Sequence, residues 1–354
     1  MVILDRYIMR TVIGNVLLVM LILLALFSFA AFVNELTYIG KGDYGVLLAL
    51  FYVGLTLPSL AYDLFPVAAL LGSVMGLGIM ASNSELVVMR AAGVSIGRIT
   101  WSVMKAGLIL VVCAVIISEF ISGESQRLAQ EIRSQALTGY VTKKLDKGFW
   151  TRDEARIVNV RRVLPDGELR EIYIYEIDDQ RRLNEMIYAK SARYEHNQWV
   201  LNGVRQSWLD ENEVKSLLLA HLPQKSLIDP EMIAVIAIKP RSLSAQGLYK
   251  FIEYLKANDL NAGHYEMVFW SKVVLPFATA MMVFLSIPFV FGPLRSVGVG
   301  VRVLVGTLVG ITFYVIHQMS SYVGLVFHVN PALSATLPTL LFFFVSILMM
   351  RRIK

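Results

Sequence analysis

The sequence has few charged residues and a single cysteine. Charged residues make up 17% of its 354 residues, whereas a soluble domain of this length carries nearer a quarter. The apolar residues cluster in runs close to the roughly 20 residues that cross a bilayer as a helix. Cys113 lies inside one such run, and a lone cysteine allows no intramolecular disulfide. This composition predicts a polytopic membrane protein.

The sequence also lacks the motifs of a nucleotide or metal site. It contains no G-x-x-x-x-G-K-[ST], H-E-x-x-H or C-x-x-C pattern, which mark phosphate loops, zinc helices and redox centres. Five histidines are scattered without metal-ligand spacing: His196, His221, His264, His317 and His328. We therefore expect no catalytic residue, no metal site and no cofactor bound by this chain.

Six apolar runs predict six transmembrane helices, at residues 11–33, 59–80, 100–121, 266–291, 297–319 and 331–350. Pro58 and Pro66 interrupt the second apolar region, so we expect a separate interfacial helix at 44–57 before the second span. No small-x-small cleavage site follows the first run, which predicts a retained span rather than a signal peptide. Gly72 and Gly76 have the spacing of close helix packing.

The long polar stretch between the third and fourth spans has the signature of an all-β domain. Strands are predicted at 156–163, 171–177, 198–209 and 214–220, after a helical continuation of the third span at 126–135. A helix at 242–257 places Leu248, Phe251, Ile252 and Leu255 on one face. The predicted fold is therefore an α-helical membrane protein with a jelly-roll-like β domain inserted between helices 3 and 4, divided at 1–122, 123–262 and 263–354.

The distribution of basic residues predicts the orientation in the membrane. The net charge of +6 comes largely from span ends, so it indicates orientation rather than nucleic-acid binding. Six spans place one set of cations on a single side: Arg6, Arg10, Arg90, Arg98, Arg295, Arg302 and the tail Arg351, Arg352 and Lys354. By the positive-inside rule both termini are cytoplasmic and the β domain is exported.

A short polar stretch, residues 81–95, lies between the second and third spans. Ser82, Asn83 or Ser84 can cap a helix, Ser82 with Glu85 matches a capping box, and Gly93 suits a helix end, so we expect a helix over 82–93. It would carry Glu85 and Arg90 on the cytoplasmic side. Such an element is what a membrane protein needs if a soluble motor is to move its spans.

Several motifs together resemble the lipopolysaccharide-export permease family. These are the N-terminal LDRYI, the run FPVAALLG at 65–72, SELVVM at 84–89, SLSxxGL at 242–248 and FGPLRS at 291–296. The resemblance covers the whole chain. It implies pairing with a second permease, LptF, on an ATPase dimer, LptB, that holds the ATP and Mg²⁺. It also implies extraction of lipopolysaccharide from the inner membrane and delivery through LptC to the LptA periplasmic bridge.

The resemblance also assigns roles to individual residues. Glu85 is the expected contact to an arginine of the ATPase, with Met89 and Arg90 beside it; the alternative is that Glu85 only closes the cap with Ser82. Arg133 matches a phosphate-contacting arginine, and Lys41 is a second candidate. Relatives carry lysines near the end of the first span, where this chain has Ala31, Thr37 and Tyr38. The apolar wall of the lipid site is expected from Phe27, Phe32, Leu64, Phe65, Phe313 and Ile316.

Three other functions remain open at this point. An exporter of lipoproteins is the nearest alternative. A lipid hydrolase would need Asp63 or Glu119 as its acid, although neither has a recognisable nucleophile beside it. A periplasmic scaffold would need no cytoplasmic contact helix. The β domain itself either guides acyl chains between its strands or only docks partners.

Overall fold

The computed structural model describes residues 2–138, 143–153, 156–164, 168–177, 182–195, 198–209, 214–224, 240, 243–258, 261–292, 297–327 and 329–352. The chain divides into two compact units. The helical unit comprises Met1–Thr37, Val53–Gln126 and Gly263–Lys354, and the β unit comprises Tyr38–Tyr52 and Arg127–Ala262. Residues 165–167 and 293–296, the latter including Arg295, lie outside the described residues, as do Ser242, His196, His328 and Lys354.

Six helices in the described part of the chain are long and apolar enough to cross a membrane, which confirms the predicted number of spans. In chain order the helices are α1 (Val2–Glu35, followed by a 3-10 turn at Leu36–Tyr38), α2 (Val46–Ser82), α3 (Glu85–Ala91), α4 (Ile96–Ile116), a π-helix (Ile117–Ser122), α5 (Gly123–Thr138), α6 (Ala245–Ala257), α7 (Gly263–Phe291), α8 (Val299–Val326) and α9 (Pro331–Arg351).

The predicted break in the second apolar region is wrong. Residues 44–57 do not form a separate interfacial helix, because α2 runs without interruption from Val46 to Ser82 with Pro58 and Pro66 inside it. A proline removes one backbone hydrogen bond, but neighbouring helices and local adjustments satisfy the freed groups in membrane helices. At 1.5 Å per residue, α2 is roughly 55 Å long and exceeds the thickness of a bilayer.

The third span continues directly into a polar helix, as predicted. The path from Ile96 to Leu137 is helical throughout, but it contains a π-helical segment, Ile117–Ser122, that the sequence did not predict. The hydroxyl of Ser59 on α2 donates to the carbonyl oxygen of Ser122 at 3.4 Å. A hydroxyl on a neighbouring helix thus approaches a carbonyl at the end of the widened turn.

Close packing of α1 on α2 depends on the predicted glycine pair. A Cβ at Gly72 would collide with the backbone of Val16, and one at Gly76 would lie 3.2 Å from the carbonyl oxygen of Thr11. Around this contact lies the main core of the bundle, in which Val12, Val16 and Leu77 are almost wholly buried. The glycines therefore fix how near the first two spans approach.

The β unit contains one antiparallel sheet of six strands in sequential order. The strands are β1 (Lys143–Asp153), β2 (Arg156–Val163), β3 (Leu169–Ile177), β4 (Leu183–Glu195), β5 (Gln198–Leu209) and β6 (Val214–Gln224). The all-β prediction is confirmed. Its jelly-roll connectivity is not what the described strands show, because each pairs with its neighbour in sequence as in a meander. A jelly roll would need connections that cross between two sheets.

Two of the six strands, β1 and β4, were missed by the sequence analysis. In β1 the sequence KKLDKGFWTRD has too many charges to show an alternating apolar pattern. In β4 the buried residues are Glu185, Ile187, Ala189 and Ala192, so the alternation is weakly hydrophobic and does not extend past Ala189. The other four predicted strands are present, and β2 and β5 have the predicted bounds.

Helix α6 confirms the amphipathic pattern read from residues 242–257. The helix proper begins at Ala245, and the hydroxyl of its N-cap residue Ser244 accepts a hydrogen bond from the backbone N–H of Gly247 at 3.1 Å. Its four predicted apolar residues are all buried: Leu248, Phe251, Ile252 and Leu255.

Candidate functional site

Helix α3 forms a short projection between α2 and α4, over Glu85–Ala91 rather than the full 82–93. The predicted capping box is wrong. Ser82 is the last residue of α2, and the N-cap residue is Ser84, whose φ of 61° is left-handed and whose side chain makes no capping bond. The predicted end is confirmed, because Ala92 is the C-cap residue and Gly93 has a φ of +85° that favours glycine.

The carboxylate of Glu85 is held from a distant part of the chain. The hydroxyl of Tyr7 on α1 donates to its Oε2 at 2.8 Å. A longer bond, 3.3 Å, comes from the side-chain amide of Asn83. These two donors replace the predicted Ser82 partner. They orient an anionic group at the start of α3 without enclosing it.

The outward surface of α3 is both apolar and charged. Leu86 is buried and anchors the helix, while Met89 is half-buried against the core of the bundle. Val87 and Val88 are 53% and 65% exposed, and Arg90 is also exposed. The sequence analysis did not single out the two valines. Their combination with Glu85 and Arg90 is typical of a surface that docks a protein partner.

The two helices that flank α3 are tied to other spans. At the start of α4, the Ser102 hydroxyl and the Lys105 ammonium donate to Asp5 of α1 at 2.7 and 3.0 Å. Near the end of α2, the guanidinium of Arg302 donates to the carbonyl oxygen of Gly78 at 2.8 Å. Arg302 was predicted only as an orienting charge, but it is 2% exposed. Side-chain hydrogen bonds thus link α4 to α1 and α2 to α8.

A serine motif beside α3 has a structural role. Residues 93–97 read GVSIG, which matches the G-x-S-x-G pattern of a nucleophile elbow. That elbow joins a strand to a helix, whereas here the serine lies between two helices. Ser95 is the N-cap residue of α4, and its Oγ accepts the backbone N–H of Arg98 at 3.3 Å. The motif is a helix cap in this chain.

The two predicted phosphate-binding cations lie together in the β unit. The guanidinium of Arg133 on α5 is 4.4 Å from the ring centroid of Tyr38 and 5.2 Å from that of Tyr52. The ammonium of Lys41 is 4.9 Å from the centroid of the same Tyr38 ring. Residues 92 positions apart in sequence therefore share one aromatic neighbour. Arg127, another arginine on α5, forms an ion pair with Glu131 at 2.6 Å.

The loop that carries Lys41 is fixed by backbone hydrogen bonds. Lys41 donates its N–H to the carbonyl of Tyr38 at 3.2 Å and accepts the N–H of Tyr44, also at 3.2 Å. Asp43 donates its N–H to the carbonyl of Ala136 on α5 at 2.8 Å. Tyr44 is 1% exposed. The backbone beneath the cation is therefore ordered by the fold.

The expected apolar wall is dispersed in the structure. Phe65 and Leu64 belong to the main core of the bundle. Phe313 is buried in a second cluster, with Ile316 packed against it. Phe27 is 43% exposed on α1, and Phe32 is half-buried. The rings of Phe65 and Phe313 thus pack in two different clusters of this chain, and the lipid-contacting role of the six residues stays a prediction.

The acids considered for a hydrolase lie near a lysine. Asp63 on α2 and Glu119 in the π-helix are the carboxylates whose charges act on Lys272 of α7. Tyr62 donates its hydroxyl to the backbone carbonyl of Lys272 at 2.8 Å. Within the described residues no three His, Cys, Asp or Glu side chains form a group that could hold a metal ion. The arrangement connects three helices by charge and hydrogen bonding.

The chain has six membrane-spanning helices, a short helix displayed between the second and third, and an inserted β unit. This architecture is that of a multi-pass permease rather than a soluble protein. The family model described as lipopolysaccharide export system permease LptF/LptG matches residues 6–352. The chain belongs to this family, which confirms the resemblance read from its motifs.

Relatives in two organisms match the chain along almost its whole length. It is 35% identical to the lipopolysaccharide export system permease protein LptG of Escherichia coli K12 over 353 residues, covering 99% of this chain and 98% of that protein. It is also 35% identical to LptG of Haemophilus influenzae over 343 residues, covering 96% and 95%. LptF of Escherichia coli K12 matches at 33% over 116 residues, 33% of this chain and 31% of that protein. The chain is a permease of the lipopolysaccharide export system and resembles LptG more than LptF.

Proposed function

We propose that this permease extracts lipopolysaccharide from the outer leaflet of the inner membrane and passes it through the β unit to a periplasmic bridge. Both termini and α3 are then cytoplasmic and the β unit is periplasmic, as the basic residues at span ends favour. The partners of this assembly are the permease LptF, an LptB ATPase dimer, LptC and LptA. ATP and Mg²⁺ bind to the ATPase, since the sequence contains no phosphate-loop motif.

The observation that carries this proposal is the surface of α3. Its carboxylate, Glu85, is oriented by Tyr7 and remains accessible to a further cation. The exposed valines, Val87 and Val88, supply the apolar area that a docking contact needs. An arginine on the ATPase would form a charge-assisted hydrogen bond with Glu85. Movement of the ATPase would then reach α2 and α4 directly.

The lipid end of the mechanism is assigned to Lys41 and Arg133. The lipid is a phosphorylated glucosamine with several acyl chains, so it requires cations beside an apolar surface. These two cations are the predicted pair that the β unit holds at a common ring. We therefore assign the phosphate contact to this pair and leave Arg127 to its ion pair with Glu131.

Site-specific photocrosslinking tests both the ATPase contact at α3 and the lipid contact at Arg133 in one set of cells. A crosslinking amino acid is placed at Val87, beside Glu85, or at Arg133, in chains expressed at native level. We expect the probe at Val87 to capture a soluble ATPase and the probe at Arg133 to capture lipopolysaccharide. A probe at Val214, exposed at the start of β6, is the control for nonspecific capture of either.

The two probes separate failure of coupling from failure of lipid binding. Absence of any ATPase adduct at Val87, in chains that assemble with the second permease, would refute α3 as the coupling element. Absence of a lipid adduct at Arg133 alone would leave the transporter in place and move the lipid site elsewhere.

A further inference from the structure

Tyr38 is the common neighbour of two cations in the β unit. Its ring centroid is 4.4 Å from the Arg133 guanidinium carbon and 4.9 Å from the Lys41 ammonium nitrogen. The tyrosine is 37% exposed, and it belongs to the 3-10 turn Leu36–Tyr38 that follows the first span. In the sequence, the one sign of a role for this tyrosine is that relatives carry lysines near its position.

The two cations are close enough to repel each other. Because both lie about 5 Å from one centroid, their charged groups are less than about 10 Å apart, which is roughly one Debye length at 0.1 M salt. At the upper end of that range salt screens much of the repulsion. The electron-rich face of a tyrosine ring attracts both a guanidinium and an ammonium within about 6 Å of its centroid.

The surroundings of the ring are already ordered. On one side the backbone of Lys41 is hydrogen-bonded to Tyr38 and Tyr44, so the loop holds the lysine near the ring. On the other side the Arg133 guanidinium also contacts the ring of Tyr52 at 5.2 Å. The hydroxyl of Tyr52 accepts a 3.4 Å hydrogen bond from Gln130, one turn before Arg133 on α5. Little conformational freedom is then lost when an anion binds to the cations.

We propose that Tyr38 is a positioning residue that holds Lys41 and Arg133 together as one site for the phosphate groups of the transported lipid, acting through the face of its ring rather than through its hydroxyl. This inference rests on the proposed lipid site and adds to it the residue that assembles the two cations. An anion that contacts both cations adds a charge-assisted attraction to each of them.

The test compares two substitutions of Tyr38 in the purified complete transporter in nanodiscs. Tyr38→Phe keeps the ring and removes the hydroxyl, whereas Tyr38→Leu keeps apolar bulk and removes the ring. Binding is measured for diphosphorylated lipid A and for the same lipid after enzymatic removal of both phosphates. We expect Tyr38→Leu to weaken binding of the phosphorylated lipid about three- to tenfold, the effect of losing two partly exposed cation–π contacts.

The other measurements make the expectation specific. Tyr38→Phe should bind the phosphorylated lipid within about twofold of the unchanged protein, because the ring face is retained. The dephosphorylated lipid should bind equally to all three proteins. The double variant Lys41→Ala with Arg133→Ala reports on the underlying lipid site independently of the tyrosine.

Each contrary result has a distinct meaning. If the double variant binds phosphorylated lipid normally, the proposed lipid site fails. If the double variant is weakened but Tyr38→Leu is not, only the role of Tyr38 fails. If Tyr38→Leu weakens binding of both lipids equally, the ring is an apolar contact or a structural support. If Tyr38→Phe is as weak as Tyr38→Leu, the hydroxyl is responsible, and the inference is overturned.

Discussion

The charged groups at the two candidate sites are both held by a tyrosine, but by different parts of it. In the helical unit the hydroxyl of Tyr7 donates to the carboxylate of Glu85. In the β unit the ring of Tyr38 faces the cations of Lys41 and Arg133. A carboxylate accepts hydrogen bonds, whereas a cation is attracted to a π face. The comparison teaches that removing a tyrosine hydroxyl should disturb only the anionic site.

The largest expected effect comes from reversing the charge at the anionic site. Glu85→Lys replaces the carboxylate with an ammonium, which loses the Tyr7 bond and repels an arginine of the ATPase. We expect lipid-dependent ATP hydrolysis by the purified complex to fall by tenfold or more, because an interfacial charge contact becomes a like-charge pair.

The control for this experiment is Asn83→Ala, which removes only the 3.3 Å bond to Glu85. It should leave ATP hydrolysis near its original rate. Normal lipid-dependent hydrolysis in Glu85→Lys would show that α3 does not carry the coupling contact. Glu85 could then no longer be compared with Lys41 and Arg133 as a functional charge.

The second prediction removes the cationic site. Lys41→Ala combined with Arg133→Ala should reduce capture of phosphorylated lipid by the complex by about tenfold, since two charged contacts to phosphate are lost. Raising the salt concentration should weaken binding to the unchanged protein more than to the double variant. Binding is measured by retention of labelled lipid on the purified complex.

Arg127→Ala is the matched control on the same helix, because Arg127 is paired with Glu131. It should retain lipid at close to the original level. If Arg127→Ala is as defective as the double variant, general positive charge along α5 is responsible and the assignment to Lys41 and Arg133 is too narrow.

Much of the fold could be predicted because long apolar runs and strand periodicity are local signals. The six spans, four strands and the buried face of α6 follow from them directly. The errors occur where a local rule was overridden. A proline in the interior of a helix usually ends or kinks it. Helix α2 nevertheless continues through Pro58 and Pro66. Ser84 adopts a left-handed conformation, so the capping box expected from Ser82 does not form.

The sites were only partly predictable because their partners are distant in sequence. Arg133 was identified from the family resemblance, Glu85 from the helix signals as well, and Lys41 from its place in the loop after the first span; all three stay predictions as functional residues. Tyr7 lies 78 positions from Glu85, and Tyr38 is similarly remote from Arg133, so no spacing rule connects them. The one available signal for Tyr38 was the departure from the lysines expected near that position.

The third prediction tests the hydroxyl at the anionic site directly. Tyr7→Phe removes the donor to Glu85 and leaves the ring in place, so the carboxylate is less well oriented. Lipid-dependent ATP hydrolysis should fall about two- to threefold, a small effect because the bond is exposed to solvent. Tyr38→Phe, measured in parallel, should change lipid binding less than twofold. Equal sensitivity of both sites to loss of the hydroxyl would contradict the distinction between them.

The smallest effect is expected at a carboxylate that faces only its own chain. Glu168, just before β3, is 7% exposed and accepts hydrogen bonds from Arg193 at 2.8 Å and Arg170 at 3.1 Å. Burial by itself would raise the pKa of the Glu168 carboxyl, but the two arginines outweigh it and hold the pKa below its usual value. A lowered pKa means that the ion pairs stabilise the sheet above the unfolded value of about 4.3 and cease to do so as the pH falls.

Glu168→Gln should therefore destabilise the β3–β4 pairing at pH 7 by about 1 kcal/mol, since both arginines are half-exposed and screened by solvent. Hydrogen exchange followed by mass spectrometry on the intact protein should show about fivefold faster exchange in these strands. As the pH falls through the lowered pKa of Glu168 the difference from the unchanged protein should shrink, and it should disappear once the carboxyl of the folded protein is protonated and neutral like glutamine. Glu195→Gln, at the exposed end of β4, is the matched control and should change exchange little at either pH.

A defect of Glu168→Gln that persists in acid would mean that its shape, rather than its charge, supports the sheet. An acid-sensitive defect with unchanged lipid binding and ATP hydrolysis would mean that the charge of Glu168 serves only the sheet. The charges of Glu85, Lys41 and Arg133 differ, because each contacts a tyrosine and is proposed to bind a partner.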